Sequence, residues 1–172
     1  VVVEKPLALK KIDAEKIIKK SNEVKKYVFV VMQNRYSFPI KWAKNILEKN
    51  LIGNVYIVQI NCFWNRDDRY YKDHEWHGKK NLDGGTLFTQ FSHFIDLIYF
   101  LFGEVKIMNS NIFNFNHKKT IEFEDSGIIN FQLLKGQGGS ISLNYTTSVW
   151  DKNLESSMTV IGEKGSFKLG GQ

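Results

Sequence analysis

The sequence predicts an α+β fold: a large mixed, mostly antiparallel sheet covered on one face by helices, preceded by the last βαβ unit of a doubly wound domain. Three observations carry this reading. Residues 1–32 run strand, helix, strand, the order of a βαβ unit. Apolar residues at helical spacing then recur in 38–47 and 86–102. Residues 105–169 read as strand after strand, broken by glycine-containing turns.

The elements follow in order. Val1-Val2-Val3 is a β-branched run stopped by Pro6, which suits a buried parallel strand entering a loop. Ala8, Ile12, Ile17 and Ile18 mark a helix that ends near Ser21, and residues 27–32 form a second apolar strand. Ser37 is placed to cap a helix with Pro39 in its first turn and Trp42, Ala43, Ile46 and Leu47 on its apolar stripe. Asn50 and Gly53 close that helix. In residues 55–64 Val58, Ile60 and Cys62 alternate with Ile57, Gln59 and Asn61, giving a strand with one apolar and one mixed face. Residues 65–83 read as a long loop rich in charge and aromatics, a length that often signals function. One helix is expected over 86–102, stopped by Gly103. Strands are expected at 105–115, 121–134, 140–147, 156–161 and 166–169, with turns at Lys135-Gly136-Gln137-Gly138-Gly139 and Gly162-Glu163-Lys164-Gly165.

Composition narrows the function classes. Of 172 residues, 42% are hydrophobic and 14% aromatic, enough for a packed core and for flat-walled pockets. The net charge of +6 gathers partly in Lys10-Lys11, Lys19-Lys20 and Lys25-Lys26, on or beside a helix, which reads as a solvated face. No nucleic-acid module accompanies it, so no nucleic-acid partner is expected. The single cysteine, Cys62, lies in a strand pattern and is expected to be a buried, inert thiol suited to a reducing cytoplasm. No apolar stretch reaches membrane-span length, and no membrane partner is expected. Asp73, His74 and His77 lack the ligand number of a zinc site, so no metal is expected. The chain opens on Val1 inside an apolar run and ends at Gly170-Gly171-Gln172 without a closing element, and is expected to be a fragment.

Three stretches, in order, carry a resemblance: Glu4-Lys5-Pro6 after a strand, Asn34-Arg35-Tyr36 with Pro39 after the next strand, and residues 82–96, LDGGTLFTQFSHFID. Together they resemble the Gfo/Idh/MocA oxidoreductases over essentially the whole chain. The resemblance implies that residues 1–34 are the C-terminal remnant of a Rossmann domain. Residues 35–172 would then be a dihydrodipicolinate-reductase-like substrate and oligomerisation domain. It implies NAD or NADP as cofactor, bound mainly by an N-terminal Rossmann domain whose glycine fingerprint is not in this sequence; Gly136, Gly138 and Gly139 lie between two strands and fail that fingerprint's context. It implies cofactor contacts from Glu4, Lys5 and Pro6, a cis Lys5–Pro6 bond, and catalytic roles for Lys5 and His93. Thr89 and Phe91 stand where many members carry Asp and Gly. The pattern around Trp76-His77-Gly78 and Leu82-Asp83-Gly84-Gly85 is closer to the branch that oxidises UDP-linked N-acetylglucosaminuronate in surface-polysaccharide (lipopolysaccharide) biosynthesis.

Oxidising a sugar hydroxyl moves a hydride to nicotinamide and a proton to a base. A histidine titrates near 6.5 and a lysine near 10.4 unless burial lowers it. Lys5 and His93 therefore share the base and polariser roles, unranked by sequence. Candidate substrate contacts are Arg35 and Tyr36 at the domain seam, Thr89 and Gln90 within a turn of His93, and Asp96 at i+3 from it. In the long loop Arg66, Arg69, Tyr70 and Tyr71 are placed to hold a diphosphate and stack on a base. A homo-oligomer is expected through an exposed sheet face bearing Phe113, Phe115, Phe123, Phe131 and Tyr145. The alternative is a non-catalytic binding or structural protein of the same fold, favoured by Thr89 and opposed by the joint presence of Lys5 and His93. On its own the fragment is expected to be inactive.

Overall fold

The computed structural model describes residues 1–171. Strand β1 (Val2–Glu4), helix α1 (Lys11–Glu23) and strand β2 (Phe29–Val31) form the expected βαβ unit, with β1 and β2 parallel and Val3 opposite Val30. The helix buries no residue: Ile12 and Ile18 on its predicted stripe are more than half exposed, as are Tyr27 and Phe29. The described residues leave that apolar face open.

A short 3-10 turn (Gln33–Tyr36) leads into α2 (Phe38–Glu48), with a proline in its first turn as expected. Ser37 does not cap it through its side chain. The hydroxyl instead donates to the Asn34 carbonyl at 2.9 Å, closing the preceding turn. Strand β3 (Val55–Phe63) buries Val58, Ile60 and Cys62 completely. The stretch expected as an unstructured loop holds two single-turn helices, α3 (Asp68–Lys72) and α4 (Lys80–Asp83). The Asp67 carboxylate nucleates the first by accepting from the N–H groups of Arg69 and Tyr70. Pieces this short carry no periodicity to read.

The helix expected over 86–102 is two, α5 (Thr86–Thr89) and α6 (Ser92–Phe102). No proline or glycine marks the break. The chain turns because the Phe91 ring is driven wholly into the core against Trp64 and Tyr145, while the Gln90 side chain is buried on hydrogen bonds to Arg66 and Tyr70.

Strands β4 (Val105–Phe113), β5 (Ser126–Leu133), β6 (Ser140–Thr146), β7 (Glu155–Gly162) and β8 (Ser166–Gly170) join β3 in one sheet of order β4-β5-β6-β3-β7-β8. Only β3 and β6 pair in parallel; every other pairing is antiparallel. The mixed, mostly antiparallel sheet is as the sequence predicts. Its inner face carries Ile129, Phe131, Leu133, Ile141, Leu143, Tyr145, Met158 and Val160, covered by Ile40 and Ala43 of α2 and by Leu97, Ile98, Leu101 and Phe102 of α6. Each such side chain contributes roughly 1.5–3 kcal/mol on burial.

Two expectations change here. Phe131 and Tyr145 belong to this core and are almost fully buried, because their strand parity turns them toward the helices. Of the five aromatics assigned to an exposed face, Phe113 and Phe115 remain exposed and stack at 5.1 Å, and Phe123 is partly buried. The open face also carries the exposed Ile57, Ile128 and Ile161 among amides and hydroxyls, with Asn144 donating to Asn61 and Asn130 donating to Asn109. Second, residues 121–125 are not strand. They belong to a loop organised by Asp125, whose fully buried carboxylate accepts from the N–H groups of Phe115, Asn116 and His117 and from the Ser126 hydroxyl, and pairs with His117 Nδ1 at 3.0 Å.

Burial alone would push the Asp125 carboxyl up, but those donors outweigh it and hold it well below the usual carboxylate range. A carboxyl so depressed stabilises the fold at every pH above its unfolded value of about 3.9 and loses that contribution as the pH falls toward its folded value. Asp125→Ala is expected to cost about 3–5 kcal/mol in urea denaturation at pH 7 by leaving these donors without an acceptor. The deficit relative to wild type should shrink as the pH falls below about 3.9, where the carboxyl of the unfolded chain takes up a proton that the native one still refuses. A cost under about 1 kcal/mol would contradict the assignment.

Candidate functional site

Parallel strands present their carboxyl ends to ligands, and β1 and β2 end side by side, Glu4 opposite Val31. Lys5 follows β1 directly, and its peptide bond to Pro6 is cis, as the resemblance implies. Gln33 follows β2. The third wall comes from the α5–α6 junction. Lys5 Nζ donates to the Thr89 carbonyl at 2.5 Å across 84 residues of sequence. His93, in the first turn of α6, is 9% exposed, with Nε2 at 3.4 Å from the Gln33 amide nitrogen and Nδ1 buried with no partner among the described residues. The structure thus brings Lys5 and His93 to one place, with neither ring nor amine lost in apolar packing.

Their electrostatics interlock. Burial pushes the Lys5 amine down from its ordinary value, with Glu4 and Asp83 opposing. Burial also pushes the His93 imidazole down, and the charge of Lys5 adds to that; Asp96 and Glu4 act the other way. The imidazole is therefore neutral at pH 7. The amine has two further N–H groups beyond the one given to Thr89.

A cleft of about 300 Å³ opens beside Lys5, lined also by Pro6, Leu9, Tyr70, Trp76, Asp83 and Thr89. Gly84 turns the chain directly after Asp83 on its wall. Its φ of +83° is a left-handed conformation, and a Cβ there would come within 2.7 Å of Leu9. Gly85 continues the corner at φ +121°.

The other candidates distribute as follows. Arg35 makes a two-pronged ion pair with Asp96, 2.7 and 2.5 Å, with its guanidinium over the Phe100 ring. Asp96 thus anchors the turn after β2 to α6 and makes no hydrogen bond to His93. Glu4 and Tyr36 are exposed. The Thr89 hydroxyl lies 2.6 Å from Asp83 and is already a donor there. Gln90 accepts from Arg66 Nε at 2.9 Å and donates to the Tyr70 hydroxyl, and the Arg66 guanidinium stacks between Trp64 and Tyr70. Tyr71 is buried on Thr147 and His117, its phenol pushed up to about 12 by burial, so it offers no stacking surface. Arg69 is exposed and paired with Asp67. It faces a second cleft, about 460 Å³, with Arg66, Asn116 and the 92% exposed indole of Trp150 on its walls and Asp67, Asp68 and Asp151 beside them. Among the described residues no cluster of His, Cys, Asp or Glu could hold a metal. Cys62 is buried and its thiol is pushed up by burial.

Sequence reasoning missed Gln33, Asp83 and Trp150 as site residues. Gln33 had a signal, its place just past a parallel strand. Asp83 and Trp150 had none beyond a glycine pair and a loop.

Residues 40–168 match the GFO/IDH/MocA C-terminal domain. Among solved structures, the WlbA dehydrogenase of Bordetella pertussis, in complex with NADH and UDP-GlcNAcA, is 35% identical over 99% of this chain and 51% of its own, with a TM-score of 0.92. An inositol dehydrogenase homolog of Azotobacter vinelandii complexed with NAD+ shares the fold at 17% identity and a TM-score of 0.83, covering 99% of this chain and 45% of that one. An uncharacterized oxidoreductase of Synechocystis is 21% identical over 99% of this chain and 48% of the relative. This chain spans about half the length of each. The chain belongs to the GFO/IDH/MocA family.

Proposed function

We propose, from that membership, that the protein is a nicotinamide-dependent dehydrogenase oxidising a hydroxyl of a nucleotide-linked sugar such as a UDP-N-acetylhexosaminuronate. Residues 1–34 would end its Rossmann domain and 35–172 form its substrate domain. The observation that carries this reading is the meeting of Lys5, Gln33 and His93 at the carboxyl ends of β1 and β2. Likeness to a WlbA structure containing NADH and UDP-GlcNAcA supports the substrate class. The pyrophosphate cradle belongs to a glycine fingerprint outside these residues, so residues 1–172 alone are not expected to turn over. A cytoplasmic setting fits the free Cys62, and no helix of the described residues is long and apolar enough to cross a membrane. Association through the open sheet face fits the exposed Phe113–Phe115 stack.

The residues present fit a nicotinamide. The Lys5 amine, with donors unused, opens onto a cleft just past the end of β1, and the His93 imidazole lies near enough for the charge of that amine to push it down. NAD or NADP, when bound, supplies the hydride acceptor. The chain's own residues handle the proton. Neutral His93 takes the proton of the sugar hydroxyl at Nε2, the nitrogen that faces the Gln33 amide across a long 3.4 Å contact and gives that contact up when the hydroxyl binds, while Nδ1 keeps the ring's own hydrogen. The Lys5 ammonium, seated on the Thr89 carbonyl, polarises the same oxygen. Arg35 and Asp96 hold the two walls together. The nucleotide half of the substrate would run past Tyr70 and Arg66 to the cleft of Arg69 and Trp150.

Two expectations follow for the full-length enzyme. Its kcat/KM for oxidation should rise with pH through a value below 6.5, where His93 loses its proton, and fall through a value below 10.5, where Lys5 does. His93→Ala should remove the first limb and Lys5→Ala the second, each with a loss of about 10²–10⁴ in kcat and unchanged NADH affinity. Binding of NADH and UDP-sugars without turnover in wild type would favour the non-catalytic reading instead. Second, Trp150→Ala should raise KM for the nucleotide sugar about tenfold at constant kcat, the loss of roughly 1–3 kcal/mol of base stacking. An unchanged KM would remove the second cleft from the substrate path.

A further inference from the structure

Asp83 stands out among the charged groups as buried without an ion pair. It is 1% exposed and closes α4, and among the described residues no cationic side chain forms a salt bridge with it. Burying a carboxyl group is costly unless it is hydrogen-bonded, and Asp83 has two donors. The Gly78 N–H reaches one oxygen at 2.9 Å and the Thr89 hydroxyl reaches the other at 2.6 Å. The same Thr89 accepts the Lys5 amine on its carbonyl. Asp83 also lines the cleft that Lys5 opens onto. A carboxylate, a hydroxyl, a carbonyl and an amine are thus linked through a single residue, and Gly84, whose left-handed backbone favours glycine, holds the corner behind it.

We infer that Asp83 is the positioning residue of the site: through Thr89 it fixes the seat of the Lys5 amine, and it sets a buried carboxyl group on the wall of the cleft onto which that amine opens. This rests on the dehydrogenase reading for its catalytic consequence, though not for its electrostatics. The groups facing Lys5 are Glu4 on its own strand, Asp83 from α4, Tyr70 from α3, Thr89 from α5 and His93 from α6. Glu4 is exposed to solvent and screened, and Tyr70 is neutral, its phenol pushed up by burial. Asp83 is the buried negative charge of the set. Desolvation pushes the Lys5 amine down, and Glu4 first and Asp83 second oppose it. The amine then stays a cation able to polarise a substrate oxygen, without a direct ion pair that would occupy its remaining donors.

The test uses Asp83→Asn, which keeps shape and removes charge, in the full-length protein. Pulse acetylation of Lys5 with acetic anhydride, quantified by mass spectrometry across pH, reads amine protonation without turnover. The labelling midpoint should move to lower pH in the variant; an unchanged midpoint overturns the inference. In kinetics the alkaline limb should move the same way, with kcat down about tenfold and KM for the sugar nucleotide held, the signature of an interaction outside ground-state binding. A role confined to holding the Gly78 loop would lower thermal stability and leave limb and midpoint in place. Should Asp83→Asn not fold, Thr89→Val keeps the charge and deletes the hydroxyl link. It should lower kcat severalfold with the Lys5 midpoint near wild type, and wild-type kcat there would overturn the positioning half. If wild type itself oxidises no nucleotide sugar, the functional reading fails while the labelling result still decides the role of Asp83.

Discussion

One polar contact, the Lys5 amine on the Thr89 carbonyl, sets how two parts of the chain that otherwise fold by different rules meet at the candidate site. Lys5 belongs to a two-stranded parallel unit, residues 2–31, whose helix buries no residue. Thr89 belongs to the part that builds a six-stranded sheet with a complete core. A charge-assisted hydrogen bond of this kind contributes about 1.5–3 kcal/mol. It acts together with the two-pronged Arg35–Asp96 pair, which ties the turn after β2 to α6. The catalytic proposal depends on both, because they bring an amine from one unit beside an imidazole from the other.

The same junction shows how stability and chemistry divide among polar groups. Asp125 is buried with its acceptor capacity filled by donors, and it organises a loop. His93 is buried with one nitrogen unpartnered. An unmet buried polar atom costs about 1–3 kcal/mol, a cost that buried atoms of this kind seldom carry. The contrast between a satisfied carboxylate and an orphaned imidazole separates a structural residue from one poised for a ligand. Gln90 and Arg66 fall between them: their bonds to each other and to Tyr70 and Asn65 shape the cleft wall.

Much of the architecture was legible because period and parity fix it. The alternation of Val58, Ile60 and Cys62 gave the inner face of β3, and the two glycine turns located the hairpins. What failed was local and physical. The break between Thr89 and Ser92 has no helix-breaking residue; it comes from where Phe91 finds space. The five-residue helix at 68–72 is set by one carboxylate cap, and the four-residue helix at 80–83 by a distant one, its Lys80 N–H donating to Glu122. Phe131 and Tyr145 look like Phe113 in composition, and only register places them on the opposite face. Within the site, Lys5 and His93 were readable from motif positions, whereas Asp83 gains meaning only once Thr89 is seen to face it. Thr89 and Asp96, named as substrate contacts, turn their polar groups toward protein partners.

The central claim is a matter of geometry, so a crystal structure of the full-length protein with NADH and a UDP-linked uronic sugar tests it most directly. The account predicts one sugar hydroxyl within hydrogen-bonding distance of both Lys5 Nζ and His93, with its carbon facing the nicotinamide. A sugar seated elsewhere, with those two nitrogens turned to protein alone, would contradict it.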